Sequence, residues 1–241
     1  MKNPLCLAAL LAAAPAAAFA AEVPRPQPAA PAADAEVEAL VAKMQAFYEK
    51  TRGFDTRFEQ QFHQGGMPSR FAGATAAGRL RFRKPQGDEG PRMRWDYEDG
   101  RILLLVGDRS FTYDPATKQA TEYRVDAANL SAAVTFLWGE GRIAEAFTIA
   151  RAARTDLDPG GVALELTPRK QGQGFSRVFL VVDPTTGAVR ESVVVQANGS
   201  ENRIRFHEPK LNGDMDAAAF DPDAAFPKGT TRTKAAVPGQ R

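Results

Sequence analysis

Alternation with a period of two, beginning at Phe54 and recurring until residue 208, constrains this chain more than any other feature. In FDTRFEQQFHQ, Phe54, Thr56, Phe58, Gln60 and Phe62 fall on one side of an extended strand, and Asp55, Arg57, Glu59, Gln61 and His63 fall on the other. The same period predicts strands over 76–84, 92–98, 101–106, 109–114, 119–125, 147–153, 161–167, 175–183, 188–196 and 201–208. Asp114-Pro115, Asp183-Pro184-Thr185-Thr186-Gly187 and Asn198-Gly199 supply turn chemistry between them. Connections this short join antiparallel neighbours, so the expectation is a meandering antiparallel sheet of about ten strands.

Helical spacing occurs in two places. DAEVEALVAKMQAFYEKTRG sets Val37, Leu40, Val41, Met44, Phe47 and Tyr48 on one stripe, with Asp34 placed to cap its start and Gly53 just past its end. Midway, DAANLSAAVTFLWGEGRIAEAF spaces Leu130, Val134 and Leu137, and then Ile143 and Phe147, at helical intervals. The class is therefore α+β: a sheet with one face covered by a leading helix and a short helical lid.

Parity decides what the basic stretch GRLRFRKPQGDEGPRMRWDYEDG (78–100) means. A groove for single-stranded nucleic acid needs rings and cations on one face. Here Arg79, Arg81 and Arg83 oppose Leu80, Phe82 and Lys84, and Arg92, Arg94 and Asp96 oppose Met93, Trp95 and Tyr97. Nucleic acid is thereby excluded as a partner. Charge over the chain is nearly balanced, with 31 Lys+Arg against 29 Asp+Glu, which agrees. The arginines form a solvent-facing wall, while the rings, joined by Phe54, Phe58, Phe62, Phe111 and Tyr113, form an inner row. Thr56, Gln60 and Lys84 fall on the inner side too. A buried ammonium is unfavourable without a partner, so Lys84 either reaches solvent beside Pro85 or latches the cover by donating to its carbonyls or a carboxylate. Residue counts do not distinguish a filled core from a cavity.

The first 21 residues have an early lysine, a Leu/Ala run and a small-x-small ending, which reads as a secretory signal peptide. Residues 22–33 read as a Pro/Ala-rich linker, 34–230 as the folded domain and 231–241 as a flexible tail. Cys6 lies inside the signal, so the exported chain has no disulfide, thiolate nucleophile or cysteine-held metal. No later stretch approaches the roughly 18 apolar residues of a membrane helix. G-x-S-x-G, H-E-x-x-H, P-loop and G-x-G-x-x-G motifs are absent. His63 and His207 read as solvated or packed. Asp156-Leu157-Asp158-Pro159-Gly160-Gly161 begins like a calcium loop, but Thr167 stands where the bidentate acid belongs, so it reads as a turn. Asp214, Asp216, Asp221 and Asp223 fall in a turn-rich, solvated segment. No catalytic or metal site is expected.

The order of motifs resembles the periplasmic outer-membrane lipoprotein carrier family, LolA. The residues that carry the resemblance are Phe54-Asp55-Thr56-Arg57-Phe58-Glu59-Gln60, Gly78 to Pro85, Arg94-Trp95-Asp96-Tyr97, Phe111-Thr112-Tyr113-Asp114-Pro115, and a tail with Asn212, Phe220 and Pro227-Lys228-Gly229. It implies an incomplete, half-open antiparallel β-barrel closed by the helices, with a cavity lined by Phe54, Phe58, Phe62, Leu80, Phe82, Met93, Trp95, Leu104, Phe111, Tyr113, Val134 and Leu137. Lys84 takes the place of the family's arginine before proline, which latches the lid, and lysine lacks the planar fork of arginine. Residues 86–92 lengthen the link between the second and third strands beyond the family pattern. The resemblance further implies a monomer without cofactor. It would receive acylated lipoproteins from an inner-membrane ABC transporter and pass them to an outer-membrane acceptor. Two other readings stay open: a sensor of lipids or lipoproteins with the same fold, and a lipid hydrolase, which lacks a visible nucleophile and base.

Overall fold

The computed structural model describes residues 35–65, 73–84, 90–124, 142–170 and 174–235. Asp34, Pro85, Val134, Leu137 and the rest of 125–141 lie outside these residues, as do the leader and linker.

One helix leads. α1 (Ala35–Lys50) has acids Glu36 and Glu38 in its first turn and Lys50 in its last, the polarity a helix dipole favours. Its buried residues Val37, Leu40, Met44 and Tyr48 form the stripe anticipated from their spacing. There follow β1 (Gly53–His63), β2 (Thr75–Arg83), β3 (Arg92–Tyr97), β4 (Ile102–Val106), β5 (Arg109–Asp114) and β6 (Gln119–Arg124). A one-turn helix, α2 (Ile143–Ala146), runs into β7 (Phe147–Arg151), then β8 (Val162–Pro168), β9 (Phe175–Val182), β10 (Val189–Gln196) and β11 (Glu201–Leu211). A 3-10 turn at Ala217–Phe220 precedes β12 (Thr231–Lys234).

All twelve strands share one sheet in the order β12-β6-β5-β4-β3-β2-β1-β11-β10-β9-β8-β7. It is open, with β12 and β7 as separate edges. The strand count exceeds the expected ten, and β12 occupies the segment read as a flexible tail. β12 also pairs parallel to β6, whereas every other neighbour is antiparallel. The central pair, β1 with β11, joins segments about 150 residues apart and carries one irregularity, between Asp55 and Arg57.

The two faces are covered by different elements. On the inner face, α1 and α2 lie over β7–β10, burying Leu164, Leu166, Val178, Leu180 and Val182 with Met44 and Phe147. The turn between β9 and β10 holds α1 close. Asp183 accepts from Thr185 N and Thr186 N at 2.9 Å each, and Gly187 adopts φ +84°. A Cβ on Gly187 would stand 2.7 Å from the Lys43 carbonyl oxygen, so glycine is required by conformation and by proximity alike. Lys43 Nζ donates to Pro184 O at 2.7 Å from the helix side.

On the outer face, Leu104 and Phe111 pack under Phe220 and Ala225, while Ile102, Tyr113 and Ala120 meet Phe226. The segment after β11 thus straps the outside of β3–β5, anchored where Arg94 donates to Ala219 O at 2.9 Å.

Candidate functional site

Strands β1, β2 and β3 alternate charged and apolar residues cleanly, so register fixes their faces. Three inner rows cross the sheet: Phe54–Phe82–Met93–Leu105, Thr56–Leu80–Trp95–Leu103, and Phe206–Phe58–Gly78–Tyr97. Phe54, Phe58, Leu80, Phe82, Met93 and Leu105 are buried together, with Trp95, Tyr97, Ile204 and Phe206 half-buried against them. Phe206 also packs on the α1-covered cluster, so the apolar surface is continuous across the inner face.

Gly78 shapes this wall. It lies between Phe58 and Tyr97 in its row, and a Cβ there would stand 2.9 Å from Phe58 Cε1 and run into the Asp96 carbonyl oxygen. The space is taken by rings. Phe58 meets Trp95 edge-on at 4.7 Å and Tyr97 at 5.3 Å, and Trp95 stacks with Tyr97 at 6.5 Å. Burial raises the Tyr97 pKa. Phe54 and Phe82 lie 5.1 Å apart.

The inner polar residues are satisfied within the protein. Thr56 Oγ1 donates to His207 O at 2.7 Å, beside the irregularity in β11 where Glu208 takes φ +49°. Gln60 Nε2 donates to Asn202 Oδ1 at 2.9 Å. Lys84 Nζ donates to the carbonyl oxygens of Tyr48 and, at 3.2 Å, of Glu49. These are last-turn carbonyls of α1, which have no acceptor role inside the helix and carry the negative end of its dipole. Lys84 therefore faces inward as parity required and ties β2 to α1; its proposed hold on the 125–141 lid falls outside the described residues. Next to it, Asn212 Oδ1 accepts from Arg52 N at 2.6 Å and Asn212 N donates to Gly53 O at 2.8 Å, joining the helix exit to the end of β11.

The twelve residues expected to line one cavity are not brought together. Phe54, Phe58, Leu80, Phe82, Met93 and Trp95 share the inner face. Phe62 has inner parity but sits at the strand end, 40% exposed. Leu104, Phe111 and Tyr113 are corrected to the outer face. Trp95 pairs with Leu103 and Met93 with Leu105, which turns Leu104 outward, and Leu104 and Ile102 then pair with Phe111 and Tyr113. Val134 and Leu137 lie outside the described residues. Leu105, Ile204 and Phe206 were missed. The last two were readable, since Ile204 and Phe206 alternate with Arg203, Arg205 and His207.

Open space on the helix side lies at the first turns of α1. A recess of about 290 Å³ is floored by Val37, Ala39, Leu40 and Val162 and rimmed by Glu36, Lys43 and Arg151. Glu36 and Arg151 pair across it at 2.9 Å. At the other end of the helix, Tyr48 is buried and its hydroxyl accepts from Val189 N at 3.2 Å. Burial pushes its pKa up to about 12.

The 156–161 stretch is a turn, and its carboxylates are engaged. Asp156 pairs with Arg154 at 2.6 Å and with Arg203, and these guanidiniums hold its pKa far below the usual carboxylate range. Asp158 pairs with Arg190 at 3.0 Å, and its backbone N–H donates to the fully buried Glu191 at 2.7 Å.

The family described as "Outer membrane lipoprotein carrier protein LolA" has a sequence model that matches residues 49–223. A protein named outer-membrane lipoprotein carrier protein from Bordetella avium is 26% identical over 220 residues, 88% of each chain. One of the same name from Ralstonia nicotianae is 27% identical over 185 residues, covering 75% of this chain and 81% of the relative. Among solved structures, an uncharacterized conserved protein from Thermus thermophilus superposes with a TM-score of 0.49 at 12% identity, covering 82% of this chain and 98% of that one.

Proposed function

The chain belongs to the outer-membrane lipoprotein carrier family LolA, and we propose from this that it takes lipoprotein acyl chains against the inner face of its open sheet and carries them from the inner to the outer membrane. A lipoprotein-carrier role follows from the family; the acyl-binding face and the route are this proposal. The observation that carries it is the continuous apolar surface formed by Phe54, Phe58, Leu80, Phe82, Met93 and Trp95, which reaches the α1-covered half through Phe206. At about 0.8 kcal/mol per CH₂, a chain of about 16 carbons loses roughly 12 kcal/mol when exposed to water. A carrier must offer a comparable apolar surface, and needs no acid, base or nucleophile to do so.

The resting face is tightly packed, with Phe58 1% and Phe82 0% exposed, so cargo must displace a cover to reach it. α1 closes the adjoining half of the inner face, and its movement would open that half to acyl chains. Its contacts with the sheet concentrate on β7–β10, its exit is pinned by Lys84 and Asn212, and the recess beneath its first turns gives an entry point. An inner-membrane ABC transporter would supply the cargo and an outer-membrane acceptor would remove it, with the periplasm as the site of action.

The test is release of an acylated lipoprotein from inner-membrane vesicles into a soluble complex with this protein. We expect acylated cargo to be retained and the same protein lacking its acyl chains to be lost. Trp95→Ser should reduce retention of the acylated form. Equal retention of acylated and unacylated cargo would overturn the reading.

A further inference from the structure

At the end of β1 away from Lys84, a pair of carboxamides interrupts the apolar rows of the inner face. Gln60 and Asn202 stand diagonally across β1 and β11, and Gln60 Nε2 donates to Asn202 Oδ1 at 2.9 Å. A carboxamide has two N–H donors and a carbonyl with two lone pairs. Their one bond therefore leaves the Asn202 NH₂ and the Gln60 carbonyl unused, and neither takes another partner among the described residues. Both side chains are half-buried. Their surroundings are apolar: Phe58 and Phe206 form the next row, Ile204 pairs with Gln60 and Phe62 with Asn202, and Ala76 and Val194 flank them on β2 and β10. These rows contain no charged residue. Exposure rises along β1 from buried Phe58 to exposed Phe62, so the pair stands where the apolar wall opens to solvent.

We propose that this pair hydrogen-bonds the secondary amide that joins an acyl chain to the amino terminus of a protein, and so distinguishes acylated polypeptide from other lipids. The inference rests on the inner face being the acyl surface. An acyl chain laid on the wall covers Gln60 and Asn202 and takes their unused groups out of water, which is unfavourable unless new partners replace it. For a bare hydrocarbon, apolar residues at both positions would serve better. A secondary amide supplies both partners: its carbonyl accepts from Asn202 Nδ2, and its N–H donates to Gln60 Oε1. An ester offers no donor to Gln60, and a carboxylate or phosphate presents acceptors that are best met by cations. Length agrees with this placement. From Gln60 back to Phe54 the strand runs about 20 Å, and an acyl chain spans about half of a bilayer core roughly 30 Å thick. With its amide at Gln60, the chain lies over Phe58 and Phe54 and ends short of Lys84.

Two probes with identical hydrocarbon test this: a peptide carrying an N-palmitoyl group, and its analogue with oxygen in place of the N–H at the acyl link. The protein should bind the amide about tenfold more tightly than the ester. Gln60→Leu/Asn202→Leu should erase that preference and leave ester binding within about twofold. Should the double substitution unfold the sheet by circular dichroism, Gln60→Met alone serves, and the preference should again fall. Equal binding of the two probes by the unaltered protein, or a preference that the variants keep, overturns the proposal and leaves acyl binding in place. Binding of neither probe overturns the acyl surface itself, and this inference with it. Phosphatidylglycerol, which has ester links and no amide, should bind the unaltered protein and the leucine variant alike. Loss of its binding in the variant would mean that the pair reads lipid esters, and overturns the assignment to acylated polypeptide.

Discussion

Lys84 at the end of β2 donates its ammonium to the carbonyl of Tyr48, in the last turn of α1. The two residues belong to opposite halves of the inner face. β2 contributes Leu80 and Phe82 to the aromatic wall, while Tyr48 packs in the cluster over β8–β10. One side chain therefore fastens the helical cover to the wall beside it. Lys84→Met keeps the apolar stem and removes the charge. It should cost about 1 kcal/mol through the lost carbonyl and dipole interactions, a fall in Tm of about 2–4 °C. Hydrogen exchange should quicken at the end of α1, at residues 47–51, more than in β9. Uniform quickening would mean that Lys84 supports the domain generally and does not fasten the helix.

Gly78 makes a sharper test of the aromatic wall. Any side chain there meets Phe58 and the backbone of Asp96, and backbone cannot yield as a flexible side chain does. Gly78→Ala should destabilise the domain by about 1–3 kcal/mol through overpacking, although alanine is ordinarily the better residue in regular structure. Phe58→Ala should cost about 3–5 kcal/mol as a buried ring is lost. In the double variant the methyl meets the vacated ring space, so the two costs should sum to less than their separate values in urea unfolding. Simple additivity would show that Gly78 and Phe58 do not share that space.

Alkali should unfold the protein through Tyr48. Its pKa is raised from 10 to about 12 by burial, so the folded state favours the neutral phenol. That contribution is complete below pH 10 and is lost as pH rises from 10 toward 12, up to roughly 3 kcal/mol. Phenolate absorbance, compared with that of Tyr48→Phe, should show Tyr48 ionising together with loss of sheet signal. Its ionisation while the sheet is still folded would contradict its burial.

Acid should loosen a different region. Asp156, gripped by Arg154 and Arg203, has a depressed pKa, so its stabilisation is present above the ordinary carboxylate pKa near 4 and disappears as pH falls below it. Asp156 is half exposed, which discounts the effect to about 1 kcal/mol. Asp156→Asn should lower urea stability by that amount at neutral pH and make progressively less difference at lower pH. A difference that persists undiminished at low pH would locate its role outside the ion pairs.

Legibility in the sequence depended on contrast between the faces of each strand. In β1, β2 and β3 a charge stands at nearly every other place, and the inner residues Phe54, Phe58, Leu80, Phe82, Met93 and Trp95 could be assigned by parity. β4 reads ILLLV, apolar throughout, because both of its faces are covered: Leu105 by the inner cluster and Leu104 by the strap. A strand apolar on both faces has no polar reference for parity, which hides the outward direction of Leu104. Phe111 and Tyr113 alternate cleanly with Ser110 and Thr112 in β5, but their apolar side is buried by the strap and not by the inner cluster, and alternation alone does not say which face of the sheet is covered. The inward direction of Lys84 was visible, but its partners were not, since they lie 35 and 36 residues away on a helix whose placement follows from tertiary packing. β12, the sequence TRTK, is fully exposed and carries no apolar alternation.

The same division of faces yields a prediction that separates stability from cargo binding. Phe220 and Phe111 are each 1% exposed on the outer side, and Phe58 is 1% exposed on the inner side, so truncation of any of the three should destabilise by about 3–5 kcal/mol. Only Phe58 belongs to the proposed acyl surface. Measured where each variant remains folded, Phe220→Ala and Phe111→Ala should retain acylated lipoprotein as the unaltered protein does, while Phe58→Ala should retain less. Phe220→Ala should also expose the strap at residues 215–226 to proteolysis, because Leu104 and Phe111 lose the ring that anchors it. If Phe111→Ala lowers retention as much as Phe58→Ala at matched stability, the acyl chains use the outer face, and the assignment of the carrier surface to the inner rows is wrong.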